Sequence, residues 1–147
     1  MPKFIPLSTL KDTTFICDMC QQIKEPIFVT RNGYTELVIM SSDFFNEHMR
    51  YRDATGNVDY SKEYIGVPYS FPVKTLKLTS EVSLRCSKTD APISVIKNGY
   101  EVMVIMSQEH YTKRINDLFH MWYYNCVTFL VKWPDFRFFN CYYLIEG

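Results

Sequence analysis

The chain has 147 residues, of which 47% are hydrophobic, and its 16 basic side chains balance its 16 acidic ones. This length can bury one ordinary core or two very small ones, and the zero net charge gives no global attraction to nucleic acid or to an anionic membrane. No apolar run approaches the roughly 20 residues that span a bilayer.

The start of the chain and its cysteines predict a cytoplasmic location. The first ten residues lack the apolar segment of a secretion signal. Five cysteines, an odd number, favour reduced thiols over a set of disulfides. We therefore expect a cytoplasmic protein.

The first predicted elements are a strand, a short helix, a β-hairpin and a second helix. The first helix is expected to begin at Ser8 or Thr9 and to end before Pro26. The Asn-Gly dipeptide at 32–33 lies between two β-forming runs, which predicts a two-residue type I′ turn. Ser41 then predicts the N-cap of the second helix.

These elements recur 66 residues further along the chain. Residues 5–45 and 71–111 align without a gap and share 16 of 41 residues. The repeat predicts an α+β fold in which two units form an intrachain pseudo-dimer, with an antiparallel sheet, helices over one face and a long C-terminal helix. The expected divisions are a first unit at 1–50, a connector at 51–70, a second unit at 71–114 and an aromatic-rich helix and tail at 115–147.

The predicted hairpin register selects one face of the sheet as the core. A two-residue turn pairs residues 29 with 36 and 27 with 38. One face then carries Ile27, Val29, Arg31, Tyr34, Glu36, Val38 and Met40. Five of these seven residues recur in the second copy. We therefore expect helices to cover this face, and the opposite face to be free to diverge.

The stretch EPIFVTRNGYTELVIMSSDFF, preceded by PLSTLKD, resembles the N-terminal domain of the Phd/YefM (prevent-host-death) antitoxin family. The shared pattern is a short helix, then P-[IV]-x-[VI]-T-[RK]-N-G, an apolar strand ending in M-S or L-S, and a helix with an acidic start. The first copy matches throughout, and the second matches at the hairpin and more loosely in its first helix. The resemblance covers residues 4–114; the duplication departs from the family's single unit, and 115–147 match no family pattern.

The resemblance implies an antitoxin of a bacterial type II toxin-antitoxin system. Such a protein dimerises through this domain, binds its operator DNA as a transcription repressor, and neutralises a cognate toxin through the segment beyond the domain. The family places one DNA-contacting basic residue near the start of the first helix and another just before the hairpin turn. The matching positions are Lys11, Arg31, Lys77 and Lys97. Arginine and lysine neutralise phosphates or reach guanine edges, but solvated surface side chains are the alternative interpretation.

Other candidate sites are weaker. Cys17 and Cys20 form a C-x-x-C, which can hold a metal ion or a redox disulfide. No second C-x-x-C accompanies it, and the stripe of apolar residues favours buried thiols for Cys20 and Cys86. Three histidines lack ligand spacing: His48, His110 and His120. We expect no enzyme activity, no metal and no cofactor.

The C-terminal segment is rich in aromatic residues. Residues 115–147 hold 11 of the 24 aromatic residues of the chain. Helical spacing of an apolar stripe predicts one helix from Ser107 to the break at Pro134. The stripe consists of Tyr111, Ile115, Leu118, Trp122, Cys126, Phe129 and Trp133.

Two interpretations of this stripe remain open. It packs on the protein's own core or on a second protomer, or it binds a toxin with Leu118, Trp122, Phe129 and Trp133. The composition of residues 134–147 also permits an altered reading frame rather than an ancestral tail. For the whole chain, the alternative to an antitoxin is a protein-interaction domain that kept the fold without DNA binding.

Overall fold

The computed structural model describes residues 2–63 and 69–132, with side chains as far as residue 120. The fold is α+β, with a six-stranded mixed sheet. In chain order the elements are β1 (Lys3–Pro6), a first 3-10 helix (Leu7–Lys11), α1 (Thr13–Gln22), β2 (Ile27–Arg31), β3 (Tyr34–Ser41), α2 (Ser42–Phe44) with a π-helix (Phe45–Met49), β4 (Ser70–Pro72), a second 3-10 helix (Val73–Lys77), α3 (Thr79–Lys88), β5 (Ile93–Lys97), β6 (Tyr100–Ser107) and α4 (Gln108–Lys132).

The strands are ordered β1-β2-β3-β6-β5-β4. The centre of the sheet is the antiparallel pair β3–β6, which runs from Leu37 opposite Ser107 to Ser41 opposite Met103. β1 is parallel to β2, and β4 is parallel to β5. The prediction of a wholly antiparallel sheet is therefore wrong. The helices between β1 and β2, and between β4 and β5, are crossovers that return the chain in its original direction.

Both hairpins turn at their Asn-Gly dipeptides. Asn32 and Asn98 each have φ of 53°, and the glycines that follow them have φ of 82° and 80°. Positive φ at both turn positions is the geometry of a type I′ turn, and it matches the right-handed twist of the flanking strands. The dipeptides thus predicted the turns correctly.

A bulge makes the predicted hairpin register wrong. Thr30 pairs with Thr35, but Val29 pairs with Leu37, so Glu36 is an extra residue in β3. The second hairpin has the same shift, and Val102 is its extra residue. An inserted residue moves every side chain beyond it to the other face of the sheet.

Helices cover both faces of the sheet, not one as predicted. The larger core lies against α1 and α3 and includes Leu37 and Ile39, which were expected on the divergent face. The smaller core includes Val38 and Met40, which lie on the opposite face from Val29 because of the bulge. The π-helix and α4 cover this second core. Its members are Val38, Met40, Phe45, Met49, Val104 and Met106, with Phe28, Phe44, Tyr111 and Leu118 packed against them.

Short polar side chains cap α1, α2 and α4. Ser41 Oγ accepts a hydrogen bond from the Phe44 amide at 3.1 Å, and Ser107 Oγ accepts one from the His110 amide at 3.0 Å, as predicted. The predicted start of the first helix at residues 8–9 is wrong. That segment is a 3-10 helix, and Asp12 caps α1 instead.

A buried arginine joins α4 to the segment that follows the π-helix. The Arg114 side chain is 0% exposed, and its Nη1 lies 3.1 Å from Glu63 Oε1 and donates to the Met49 carbonyl at 2.9 Å. Its guanidinium lies 4.3 Å from the centroid of the Tyr51 ring. Arg50 Nη1 is 3.3 Å from the other Glu63 oxygen. These contacts attach the connector to α4.

His110 extends this buried cluster to the second repeat. Arg114 Nε donates to His110 Nε2 at 3.2 Å, and His110 Nδ1 lies 3.0 Å from Asp90 Oδ1. Because Nε2 accepts, the ring proton of the neutral imidazole is on Nδ1 and points to Asp90. Burial lowers the pKa of His110, and the Asp90 contact opposes this shift. The neutral ring therefore separates Arg114 from the solvated Asp90.

We expect Arg114→Met to lower the free energy of unfolding by about 3 kcal/mol, because the Glu63 carboxylate stays buried and loses one of its two cations. The double variant Arg114→Met/Glu63→Gln removes both charges and should regain part of that loss. Urea unfolding followed by circular dichroism measures both effects. The exposed substitution Lys62→Met is the control and should change stability by less than about 0.5 kcal/mol. Wild-type stability of Arg114→Met would contradict this account of the connector.

Candidate nucleic-acid interface

The four predicted DNA-contacting residues occupy equivalent places in the two halves of the sequence. Lys11 and Lys77 are the last residues of the two 3-10 helices, and Arg31 and Lys97 are the last residues of β2 and β5. All four are exposed. The elements thus place each basic side chain at a segment end, where solvent and ligands can reach it.

The 3-10 helices belong to the same layer as α1 and α3. The two 3-10 helices contact each other. Each also contacts the α-helix that follows its counterpart in the other repeat: the first 3-10 helix contacts α3, and the second contacts α1. Leu10 and Leu76 anchor them, because both side chains are fully buried in the larger core. Lys11 and Lys77 are therefore carried by two adjacent segments on one side of the sheet.

Arg31 lies on that same side, at a cleft between the first hairpin and α3. The cleft is lined by Arg31, Glu36, Ser80, Ser83, Leu84 and Ser87. Arg31 Nη1 is 3.9 Å from Glu36 Oε1, and the Arg31 side chain is 51% exposed. An ion pair this open contributes little to stability, so the guanidinium remains available to a ligand.

Lys97 has a different environment near α1. Burial is the main cause of the raised pKa of Cys17, and the positive charge of Lys97 opposes that rise, whereas Asp18 adds to it. The charge of Lys97 therefore acts on a thiol of α1. Val102 stands where the first hairpin has Glu36, and among the described residues Lys97 has no ion pair within 4 Å.

Two exposed tyrosines accompany these basic residues. Tyr34 pairs across the strands with Arg31, and Tyr100 pairs with Lys97. Their exposed fractions are 79% and 76%. The expectation that Tyr34 belongs to the core is therefore wrong, because the residue lies at the hairpin tip with its side chain in solvent. The repeated N-G-Y triplet was the signal for this basic-aromatic pair at each hairpin tip.

The thiols of the C-x-x-C are buried and free. Cys17, Cys20 and Cys86 form no disulfide. Burial raises the pKa of Cys20 and of Cys86 to about 12, which suppresses the reactive thiolate. Within residues 2–63 and 69–120, no group of histidine, cysteine and acidic side chains could hold a metal ion.

The predicted partner-binding residues are only partly within the described side chains. Leu118 is half-buried and packs against the smaller core. Ile115 and Phe119 of α4 are 37% and 42% exposed. Trp122 and Phe129 lie in α4, but their side chains, like all of Trp133, fall outside the described part of the chain. None of the described helices is long and apolar enough to cross a bilayer.

Comparison of the chain with protein-family models, with curated proteins and with solved structures gives no match.

We expect Cys20 and Cys86 to react with iodoacetamide at pH 8 at least about 100-fold more slowly in the native protein than in urea, because burial both blocks access and disfavours the thiolate. Peptide mapping by mass spectrometry separates these thiols from the others. The exposed-site variant Gln21→Cys is the control and should react at nearly the same rate in both conditions. Rapid native labelling of Cys20 would instead support a redox or metal role for the C-x-x-C.

Proposed function

We propose that this chain is the antitoxin of a bacterial type II toxin-antitoxin system, which binds operator DNA as an autorepressor and neutralises a cognate toxin. The observation that carries the proposal is the repeated hairpin. Each copy ends its first strand with a basic residue, turns at Asn-Gly, and continues with an exposed tyrosine. This arrangement agrees with the resemblance to the Phd/YefM family.

The proposal includes a pseudo-dimer of two tandem Phd/YefM-like units within one chain. The strand order supports it, because each repeat supplies three strands and the two sets meet at β3 and β6. The crossed contacts of the 3-10 helices with α3 and α1 also support it, since paired units exchange contacts in this way. One chain then provides what two protomers provide in a symmetric dimer.

DNA contact is assigned to Lys11, Arg31, Lys77 and Lys97. The two 3-10 helices and the cleft beside the first hairpin lie on the α1 and α3 side of the sheet, and we assign all four residues to one duplex on that side. Lysine and arginine at such positions neutralise phosphates and displace counterions. Electrostatic attraction would be local, because the total charge of the chain is zero.

Toxin binding is assigned to the segment beyond residue 114. Its proposed anchors are Leu118, Trp122, Phe129 and Trp133, which recur at helical spacing. Aromatic residues commonly dominate interface energies. The same stripe could support self-association, which is a second use of an apolar helix face.

A protein-interaction domain without DNA binding is the second candidate function. The zero net charge and the Glu36 carboxylate beside Arg31 favour it, because both weaken attraction to phosphate. The adjacent gene distinguishes the two functions cheaply. A small basic ribonuclease-like protein encoded next door favours the antitoxin, and its absence favours the interaction domain.

We expect the variant Lys11→Ala/Arg31→Ala/Lys77→Ala/Lys97→Ala to bind the DNA upstream of its own coding region much more weakly than the wild type. If all four residues contact phosphates, the slope of log affinity against log salt should flatten by about 3–4 units. Fluorescence anisotropy with a labelled duplex at two or more salt concentrations measures this slope.

A variant with the same loss of charge elsewhere is the control for this experiment. Lys3→Ala/Lys24→Ala/Arg52→Ala/Lys62→Ala alters basic residues outside the interface and should leave most of the slope intact. Identical affinity and slope for the interface variant and the wild type would refute the assignment of the DNA site.

We expect Trp122→Ala/Phe129→Ala to reduce capture of the product of the adjacent gene by about 30-fold or more, which corresponds to about 2 kcal/mol at an interface hot spot. Co-expression followed by affinity purification and titration calorimetry measures the loss. The hairpin domains should unfold at the wild-type temperature. Loss of all cooperative unfolding would instead identify the aromatic stripe as part of the protein's own core.

A further inference from the structure

The basic residues at the two hairpin tips are chemically different. The two turns have nearly equal φ angles, so Arg31 and Lys97 leave the strands in the same backbone setting. Arginine presents a planar fork of donors, whereas lysine is a point charge on a flexible chain. Equivalent positions therefore carry groups with different capacities for recognising a base.

The bulge residues increase this difference. Glu36 and Val102 are the extra residues of β3 and β6, and Glu36 lies beside the Arg31 guanidinium. Glu36 Oε2 is buried and has no hydrogen-bond partner among the described side chains and backbone. The other oxygen, Oε1, is the one that lies 3.9 Å from Arg31 Nη1, and it places a negative charge beside the guanidinium without a hydrogen bond. Valine cannot do this for Lys97.

The surfaces beside the two tips differ as well. The Arg31 cleft is lined on the α3 side by the hydroxyls of Ser80, Ser83 and Ser87. The equivalent positions of α1 are Thr14, Cys17 and Gln21, of which only Thr14 carries a hydroxyl. Hydroxyl groups accept and donate hydrogen bonds to bases and phosphates.

We propose that one chain binds an asymmetric operator, in which the half facing Arg31 is read at a guanine and the half facing Lys97 is held through phosphates alone. This inference rests on the DNA binding proposed above. In protein-DNA interfaces, phosphate contacts fix the position of the protein, and bidentate contacts to base edges set the sequence preference. The Glu36 charge beside Arg31 disfavours a phosphate contact, and the planar guanidinium can pair with both O6 and N7 of guanine.

The test uses two charge-conserving exchanges, Arg31→Lys and Lys97→Arg. Hydroxyl-radical footprinting of the wild-type protein on its upstream DNA first defines the site. Each G·C pair in the footprint is then replaced by A·T, and affinities are measured by fluorescence anisotropy. For the wild type, we expect replacements that weaken binding about tenfold or more to fall in one half of the footprint only.

The exchanged variants assign that half to a residue. Arg31→Lys should reduce the cost of the sensitive replacements to less than about threefold, and Lys97→Arg should leave it unchanged. Glu36→Gln removes the carboxylate charge beside Arg31 without altering the size of the side chain, and it should also reduce discrimination. Mass photometry should find one chain on each duplex.

The outcomes separate the two proposals. No binding of the wild type to its upstream DNA overturns both DNA binding and the asymmetric operator. Binding with equal sensitivity in both halves, or loss of discrimination on Lys97→Arg rather than Arg31→Lys, overturns the asymmetric operator and leaves DNA binding standing. A requirement for two chains on each site overturns the single-chain unit.

Discussion

The antiparallel pairing of β3 with β6 is the constraint on which the rest of the structure depends. These strands are apolar on both faces: Ile39 and Ile105 are fully buried in the larger core, and Val38 and Met106 are fully buried in the smaller one. Either strand left as an edge would expose a long, apolar template for aggregation. Pairing removes both edges and leaves β1 and β4 outside, which are short and end in proline. The distance between the hairpin tips, and so the geometry of any duplex contact, follows from this pairing.

The face under α4 departs from the symmetry that the repeat would allow. Near the first hairpin, Phe28 packs edge-on against Tyr111 of α4 with ring centroids 5.6 Å apart. The residue equivalent to Phe28 is Ser94, and it donates instead to Glu101, which also accepts from Ser42. On this one face, the half formed by the first repeat is covered through aromatic contacts, and the half formed by the second repeat is held by hydrogen bonds. The Arg114 cluster lies over this same face, where the Arg114 guanidinium stacks on Phe45 of the smaller core.

Local signals in the sequence were sufficient for the turns, the serine caps and the order of elements, because each depends on residues a few positions apart. Asn-Gly requires no tertiary contact to favour positive φ, and Ser41 caps the amide three residues ahead. The bulge at Glu36 could not be predicted in this way. Its glutamate has an ordinary place in an alternating pattern, and the extra residue is visible only when the partner strand is known. The burial of Arg114 was missed for a similar reason, since its partner Glu63 is 51 residues away.

When two similar repeats lie in one chain, each repeat can acquire substitutions that the other lacks. In a dimer of identical chains, every substitution occurs on both sides of the axis, so a glutamate introduced beside one hairpin arginine appears beside the other. In a tandem chain Glu36 and Val102 can differ, as can Arg31 and Lys97. The connector also makes the pairing intramolecular, so it does not weaken when the protein is dilute. Under the proposed DNA-binding function, such a chain can specialise one hairpin for sequence and the other for affinity, and it then fits a symmetric operator less well than a symmetric dimer does.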